Sequence, residues 1–174
     1  MFKEIVKKRR SIRKFKDEDI KDEDLKYILD CALRAPNAKN YDCVKFIIVK
    51  DKNRLKDLSK YKTTGCKFLE NVNVAIAVVS DKDISPICYH QDACIAATFI
   101  QLAATSINLG STWANVTTAT NEDGRPSQEV LKSFFNLPDN YNVECIIGIG
   151  VMDENKSEKQ PRDYNTHVFM DKFV

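Results

Sequence analysis

A chain of 174 residues suits one domain of ordinary size with a substantial core. Hydrophobic residues make up 43% and charged residues 30% of it, a balance that excludes a disordered chain. Lys and Arg number 27 against 25 Asp and Glu, and a formal charge of +2 gives no reason to expect nucleic acid or an anionic membrane as partner.

Phe2 to Lys8 reads as a short amphipathic helix, with Phe2, Ile5 and Val6 on one side. Its charges stand where a signal peptide needs an apolar core, so the expected location is cytoplasmic. Arg9 to Phe15 alternates apolar and basic residues and reads as extended. A second helix is predicted from about Asp22 to Ala35, where Leu25, Ile28, Leu29, Ala32 and Leu33 form a core-facing stripe and Pro36 ends it. Lys45 to Lys50 is a short β-branched run, hence a buried strand, and a helical pattern follows from Lys52 to Lys60. Asn73 to Ser80 is a second strand. Tyr89 to Leu109 reads as a long helix, apolar on nearly every face, with Gly110 as its C-cap glycine. Its longest apolar stretch, Ala93 to Leu109, is broken by Thr98, Gln101, Thr105, Ser106 and Asn108. That falls short of the roughly 20 residues a membrane span needs. Ser127 to Phe135 is a last helix, closed by the turn residues Pro138, Asp139 and Asn140, and Val143 to Val151 a third strand. The order implies an α+β or mixed α/β layered domain over residues 1–174, without repeat or linker. From Asp153 a polar tail begins, yet Val168, Phe169, Met170 and Phe173 restore apolar character. Such a tail is expected to dock, possibly being held by a second subunit.

The six cysteines contain no C-x-x-C pair and several lie in apolar periodic segments, so reduced structural thiols are expected. His90, between Cys88 and Cys94, lacks the ligand number and spacing of a metal site. Trp113 reads as packing, and His167 as solvent-facing or part of a subunit contact.

Two patterns carry chemistry. Lys7 to Lys14 holds six basic residues in eight positions. It reads as a solvated basic face, as a nucleic-acid patch with little aromatic interleaving, or as a phosphate site. In the last reading Arg10, Ser11 and Arg13 converge on one phosphate, the arginines by bidentate forks and the serine by its hydroxyl. Ala35-Pro36-Asn37-Ala38-Lys39-Asn40 is either a helix-terminating turn or a loop whose small and amide residues approach a flat ligand.

Together these segments resemble the nitroreductase family. Arg9-Arg10-Ser11-Ile12-Arg13-Lys14-Phe15 is similar to its R-x-S-x-R-x-F/Y opening, and Ala35 to Asn40 to its A-P-S-x-x-N loop. In order there follow Asp92, Ala96, Leu102, Ala103 and Ala104 of a central helix, then Gly110-Ser111-Thr112-Trp113. Leu137-Pro138-Asp139-Asn140-Tyr141, Gly148-Ile149-Gly150 and Arg162 complete the series. The resemblance implies an α+β fold with a central, mainly antiparallel sheet flanked by helices, in an intertwined homodimer with FMN at the subunit interface. It implies that Arg9, Arg10, Ser11 and Arg13 bind the phosphate and ribityl chain, with Lys159 or Arg162 closing over the phosphate. Pro36, Asn37, Ala38 and Asn40 would reach the ring from the other subunit. Thr64 and Lys67 fall near the pyrimidine edge, Lys67 as a donor to the reduced ring, and Ala114 and Asn115 near the flavin N5. The activity implied is ping-pong transfer from NAD(P)H through FMN to an electron-poor acceptor, a nitroaromatic or quinone, with no catalytic triad or cysteine. Asp42, Cys43 and Val44 depart from the family pattern of Gln followed by Pro-Trp, and Asn37 replaces a serine. The short chain also lacks the insertion that covers the flavin in larger members. These departures keep a rival in play: a flavin carrier or redox sensor without efficient turnover.

Overall fold

The computed structural model describes residues 2–173. Its four strands are β1 (Val44–Val49), β2 (Val74–Asp81), β3 (Gly110–Asn115) and β4 (Tyr141–Gly150). They form one sheet in the order β1-β2-β4-β3, and every neighbouring pair is antiparallel. The helices are α1 (Phe2–Lys8), α2 (Asp22–Ala32), α3 (Lys52–Leu58), α4 (Tyr89–Ser106) and α5 (Ser127–Phe135). The α+β fold with an antiparallel sheet is thus the one the sequence implied.

The two central strands are apolar on both faces because both faces are covered. Val74, Ile76 and Val78 of β2 join Cys145, Ile147 and Ile149 of β4 under α2 and α4. Ala75, Ala77, Val79 and Ile146 face the other way, toward Leu55 and Leu58 of α3 and Leu131 of α5. Each fully buried Ile, Leu or Val contributes about 1.5–3 kcal/mol relative to exposure. Helix α4 lies close on the sheet because Ala93, Ala97 and Ala104 are small where it touches. Asp51 caps α3 by accepting from Arg54 N–H at 2.8 Å, and left-handed Asn136 ends α5.

The predicted elements shift in several places. Helix α2 stops at Ala32, not Ala35, since the residue before Pro36 disfavours helical backbone. Helix α3 ends at Leu58, two residues before Lys60. Helix α4 ends at Ser106, and the left-handed residue that turns the chain is Asn108 (φ 61°). Gly110 is therefore no helix cap. It opens β3, a fourth strand absent from the sequence reading, and a Cβ there would meet Met152 at 2.7 Å and Ile12 at 2.9 Å.

The segment 9–15 is extended, as its alternation implied, and fills a place beside the outer edge of β3. Ser11 bridges Ser111 in parallel, and Ile12 N–H donates to Ser111 O at 3.0 Å. Further along, its residues 14–16 pair antiparallel with the chain after β4. Lys16 N–H donates to Val151 O (2.9 Å), Phe15 bridges Met152, and Asp153 N–H donates to Lys14 O (3.0 Å). Beyond that ladder a single separate bond, Lys159 N–H to Lys7 O at 3.0 Å, ties the chain to the end of α1. Asn73 anchors the start of the ladder, donating to Lys16 O (3.1 Å) and accepting from Val151 N–H (2.9 Å). The first part of the predicted tail is thus a strap on its own chain's basic segment. Its end is exposed: Met170 is 78% and Phe173 84% accessible. Among the described residues no helix is long and apolar enough to cross a membrane.

Candidate functional site

The strap and β3 hold the basic segment in an extended form. Ile12 and Phe15 are buried, Arg9, Arg10 and Ser11 are half-buried, and Arg13 is exposed. The Arg10 guanidinium, expected at the phosphate, instead donates to Ser157 O of the strap. Lys156 Nζ donates to Ser11 O at 2.6 Å, and Glu154 Oε1 accepts from Arg13 N–H (2.5 Å) and Lys14 N–H (3.2 Å). Those backbone donors hold the Glu154 carboxyl below the usual carboxylate range, with Lys156 assisting. Arg10, Lys156 and Glu154 also line a cavity of about 280 Å³ reaching Thr105 and Asn108 behind the segment. Of the two tail cations expected at the phosphate, Lys159 is tied to Lys7 through its backbone, whereas Arg162 is exposed beyond the strap.

Ala114 and Asn115 lie at the other end of β3, about 13 Å along the strand from Ser111. Asn115 O accepts two donors from the turn after α3, Tyr61 Oη at 2.8 Å and Lys62 Nζ at 2.7 Å. Burial lowers the Lys62 ammonium and raises the Tyr61 phenol. Thr64 and Lys67 are exposed nearby in sequence, but the cation brought to Asn115 is Lys62. Sequence reasoning passed over Lys62, which no motif marks; its place follows from the burial of Tyr61 beside it.

Pro36, Asn37, Ala38 and Asn40 form a loop beside β1. Ala38 N–H donates to the buried Asp92 of α4 at 2.9 Å, and Cys43 Sγ (3.6 Å) and Ser85 Oγ (3.5 Å) meet the same carboxylate. Burial first, and then Asp92, push the Cys43 thiol up. Lys39, Asn40 and Asp42 all adopt left-handed backbone (φ 52°, 57° and 30°), strain of the kind that gathers at ligand sites. Asn37 Oδ1 is buried with no hydrogen-bond partner. The loop edges a groove of about 650 Å³ that runs past Phe46, Asp92 and the exposed Leu33.

The two halves of the predicted site are not joined within one chain. Between the basic segment and β1 lie β3, β4 and β2, a separation of roughly 19 Å at ordinary strand spacing.

A third polar cluster lies on α4 and β4. The register slips between Val78 and Val79, leaving Glu144 as the extra residue of a β-bulge. Its buried carboxylate meets His90 Nδ1, Cys94 Sγ (3.5 Å) and Asn142 Nδ2 (3.5 Å). Burial and then Glu144 push the Cys94 thiol up to about 11. All six cysteines are free thiols, and no grouping among the described residues suits a metal ion. Trp113 packs on the α4 side of the sheet, and His167 is exposed, with Nδ1 near Thr166 Oγ1 (2.8 Å) and Asp163 O (3.0 Å).

Against known proteins, the profile describing the Nitroreductase family matches residues 6–65 and 54–151. A solved structure described as an FMN-dependent nitroreductase from Clostridium difficile R20291 superposes with a TM-score of 0.92. It shares 39% identity over 97% of this chain and 98% of its own. A protein of Archaeoglobus fulgidus with the provisional name NADH dehydrogenase/NAD(P)H nitroreductase is 34% identical over 154 residues. That alignment spans 85% of this chain and 83% of the relative. An NADPH:FMN oxidoreductase from Vibrio harveyi, solved with NAD+, matches in fold at 22% identity, with a TM-score of 0.84 over 99% of this chain and 78% of its own.

Proposed function

The chain belongs to the nitroreductase family, and from that premise we propose that it binds FMN in a homodimer and is an NAD(P)H oxidoreductase. The observation that carries the reading is the placement of Arg9, Ser11 and Arg13 on one short segment bonded, at Ser11 and Ile12, to the strand that ends at Asn115. Two arginine forks and a hydroxyl match a phosphate, and Lys159 or Arg162 lies on the chain that continues from the strap. The residues of the second half fit a ring with a polar rim. Asn37 Oδ1 is an acceptor without a donor, and Pro36, Asn37 and the left-handed Asp42 line the groove. Because that half lies at the opposite edge of the sheet, a complete site takes it from a second subunit.

FMN, when bound, would supply the redox chemistry of a ping-pong reaction between NAD(P)H and an electron-poor acceptor such as a nitroaromatic or quinone. The chain's own work is positioning. Arg9, Ser11 and Arg13 hold the phosphate; Pro36, Asn37, Ala38 and Asn40 orient the ring from the partner side. Ala114 and Asn115 present backbone at the reacting edge, and Lys62 fixes that backbone through Asn115 O while placing positive charge beside it. Thr64 and Lys67 remain proposed contacts to the pyrimidine edge.

Purified protein is expected to show the oxidised-flavin absorption band, or to gain it on titration with FMN. Under anaerobic conditions NADH or NADPH bleaches the band, and a nitroaromatic or quinone restores it. Protein that takes up no FMN overturns the flavin reading; bleaching without reoxidation by any acceptor converts the enzyme into a carrier.

A further inference from the structure

We infer that Glu154 is a positioning residue for the phosphate-binding segment, holding Arg13 and Ser11 in the conformation that accepts a ligand phosphate. The inference rests on the flavin reading for the identity of the ligand, but its geometry does not.

The N–H groups of Arg13 and Lys14 are consecutive and both point to one carboxylate oxygen, Glu154 Oε1, at 2.5 and 3.2 Å. Successive backbone N–H groups aimed at a single point make an anion cradle. Here the chain fills its own cradle. Glu154 is only 19% exposed, and Lys156, 26% exposed, stands 3.4 Å from the same carboxylate oxygen while donating to Ser11 O at 2.6 Å. Glu154 and Lys156 thus pin both ends of the Ser11–Lys14 stretch from one side. Arg13 is left exposed, with its own side chain free to reach a phosphate on the other.

Two consequences follow from the charges. With Glu154 in place, an arriving phosphate is kept out of the backbone cradle and meets side chains instead. Without it, the two N–H groups become open donors inside a cluster of cations, and the segment can rotate to offer them in a different pose. A carboxylate within a phosphate site is otherwise unfavourable, so its presence argues for what it holds in place.

The test uses full-length wild type, Glu154→Ala and Glu154→Gln, each titrated with FMN and with riboflavin, which lacks the phosphate. Glu154→Ala is expected to weaken FMN by about tenfold or more, the scale of one disordered charge-assisted hydrogen bond, and to leave riboflavin unchanged. Glu154→Gln keeps the acceptor oxygen and sheds the negative charge, so its FMN affinity returns to the wild-type value or exceeds it. Should Glu154→Ala fail to fold, Glu154→Asp, whose carboxylate stops one methylene short, supplies the same displacement. Unchanged FMN affinity in the Ala variant, or equal loss of FMN and riboflavin, overturns the proposal. Wild type that binds neither flavin overturns the flavin reading instead. The role of Glu154 is then decided by inorganic phosphate titration of the same proteins and by amide exchange at Arg13 and Lys14. Both must change in Glu154→Ala and recover in Glu154→Gln.

Discussion

Asp92 carries the loop of Pro36 to Asn40, and its removal should be felt both in stability and at the site. The residue is 3% exposed and accepts the Ala38 N–H at 2.9 Å, with the Cys43 thiol at 3.6 Å and the Ser85 hydroxyl at 3.5 Å as weaker donors. Asp92→Ala leaves the Ala38 N–H unpaired in a partly buried position. A hydrogen bond to a charged acceptor is worth about 1.5–3 kcal/mol. Against this stands the desolvation of a buried carboxylate with no ion-pair partner among the described residues, a cost the alanine removes. The lower half of the range is therefore expected. At about 2–4 °C per kcal/mol for a domain of this size, Tm falls by roughly 3–9 °C. Asp92→Asn keeps an oxygen for Ala38, and Ser85 can turn to accept from the new amide, so its loss should be smaller. The assay is thermal unfolding of the apoprotein paired with FMN titration, since a loosened loop should also weaken the ring contacts. Asp92→Ala melting within about 1 °C of wild type would refute the anchoring argument. So would an Asn variant less stable than the alanine.

Two further outcomes follow from the same structure. Lys62 has its ammonium lowered below 10.5 by burial, so the unfolded chain binds its proton more tightly than the folded one. Stability then rises with pH through the window between the folded value and 10.5. In urea melts the stability of wild type relative to Lys62→Gln should accordingly move in favour of wild type as pH climbs through that window, and a pH-independent difference would contradict the burial. Gly148→Ala sets a Cβ 2.7 Å from Phe68 Cε2 and 2.8 Å from Val72 Cγ1, both in the core. Overpacking of this kind costs about 1–3 kcal/mol, read as a lower urea midpoint at unchanged slope.

Much of this was legible in the chain because its signals are periodic. The stripe of Leu25, Ile28 and Ala32 gave α2, and the β-branched runs gave β1, β2 and β4, since those patterns arise from burial itself. β3 was missed because Gly-Ser-Thr-Trp-Ala-Asn has little β-branched content; it is a strand through its pairing with β4 and the packing of Gly110 on Ile12 and Met152. Arg10, Ser11 and Arg13 stood out as a group because so many basic residues are crowded into a short extended segment, yet the structure turns Arg10 to the strap. The strap could not be found: Glu154, Lys156 and Lys159 look like a polar tail until hydrogen bonds across more than 130 residues of sequence join them to Lys7 to Lys14. Lys62 was invisible for the same reason, being defined by a carbonyl on another element.

The position of the basic segment between β3 and the strap bears on how the site forms. Its partners are distant chain at both ends, Ser111 at residues 11–12 and residues 151–153 at residues 14–16. Closing a loop of that length costs little more than closing one half as long, about 0.6 kcal/mol per doubling, so remote partners carry no large penalty at equilibrium. What they bring is coupling. The segment holds its extended form only where β3, β4 and the strap are already in place, so Arg9, Ser11 and Arg13 cannot be ordered in a partly folded chain. The loop of Pro36 to Asn40 is tied to a different set, β1 and the start of α4 through Asp92. Under the proposed function, two half-sites built on opposite edges of one sheet, each finished by its own packing, leave the joining step to association between chains. On the proposed reading, ligand affinity and subunit affinity are then linked, because a flavin held by both halves binds only the paired form and stabilises it by mass action.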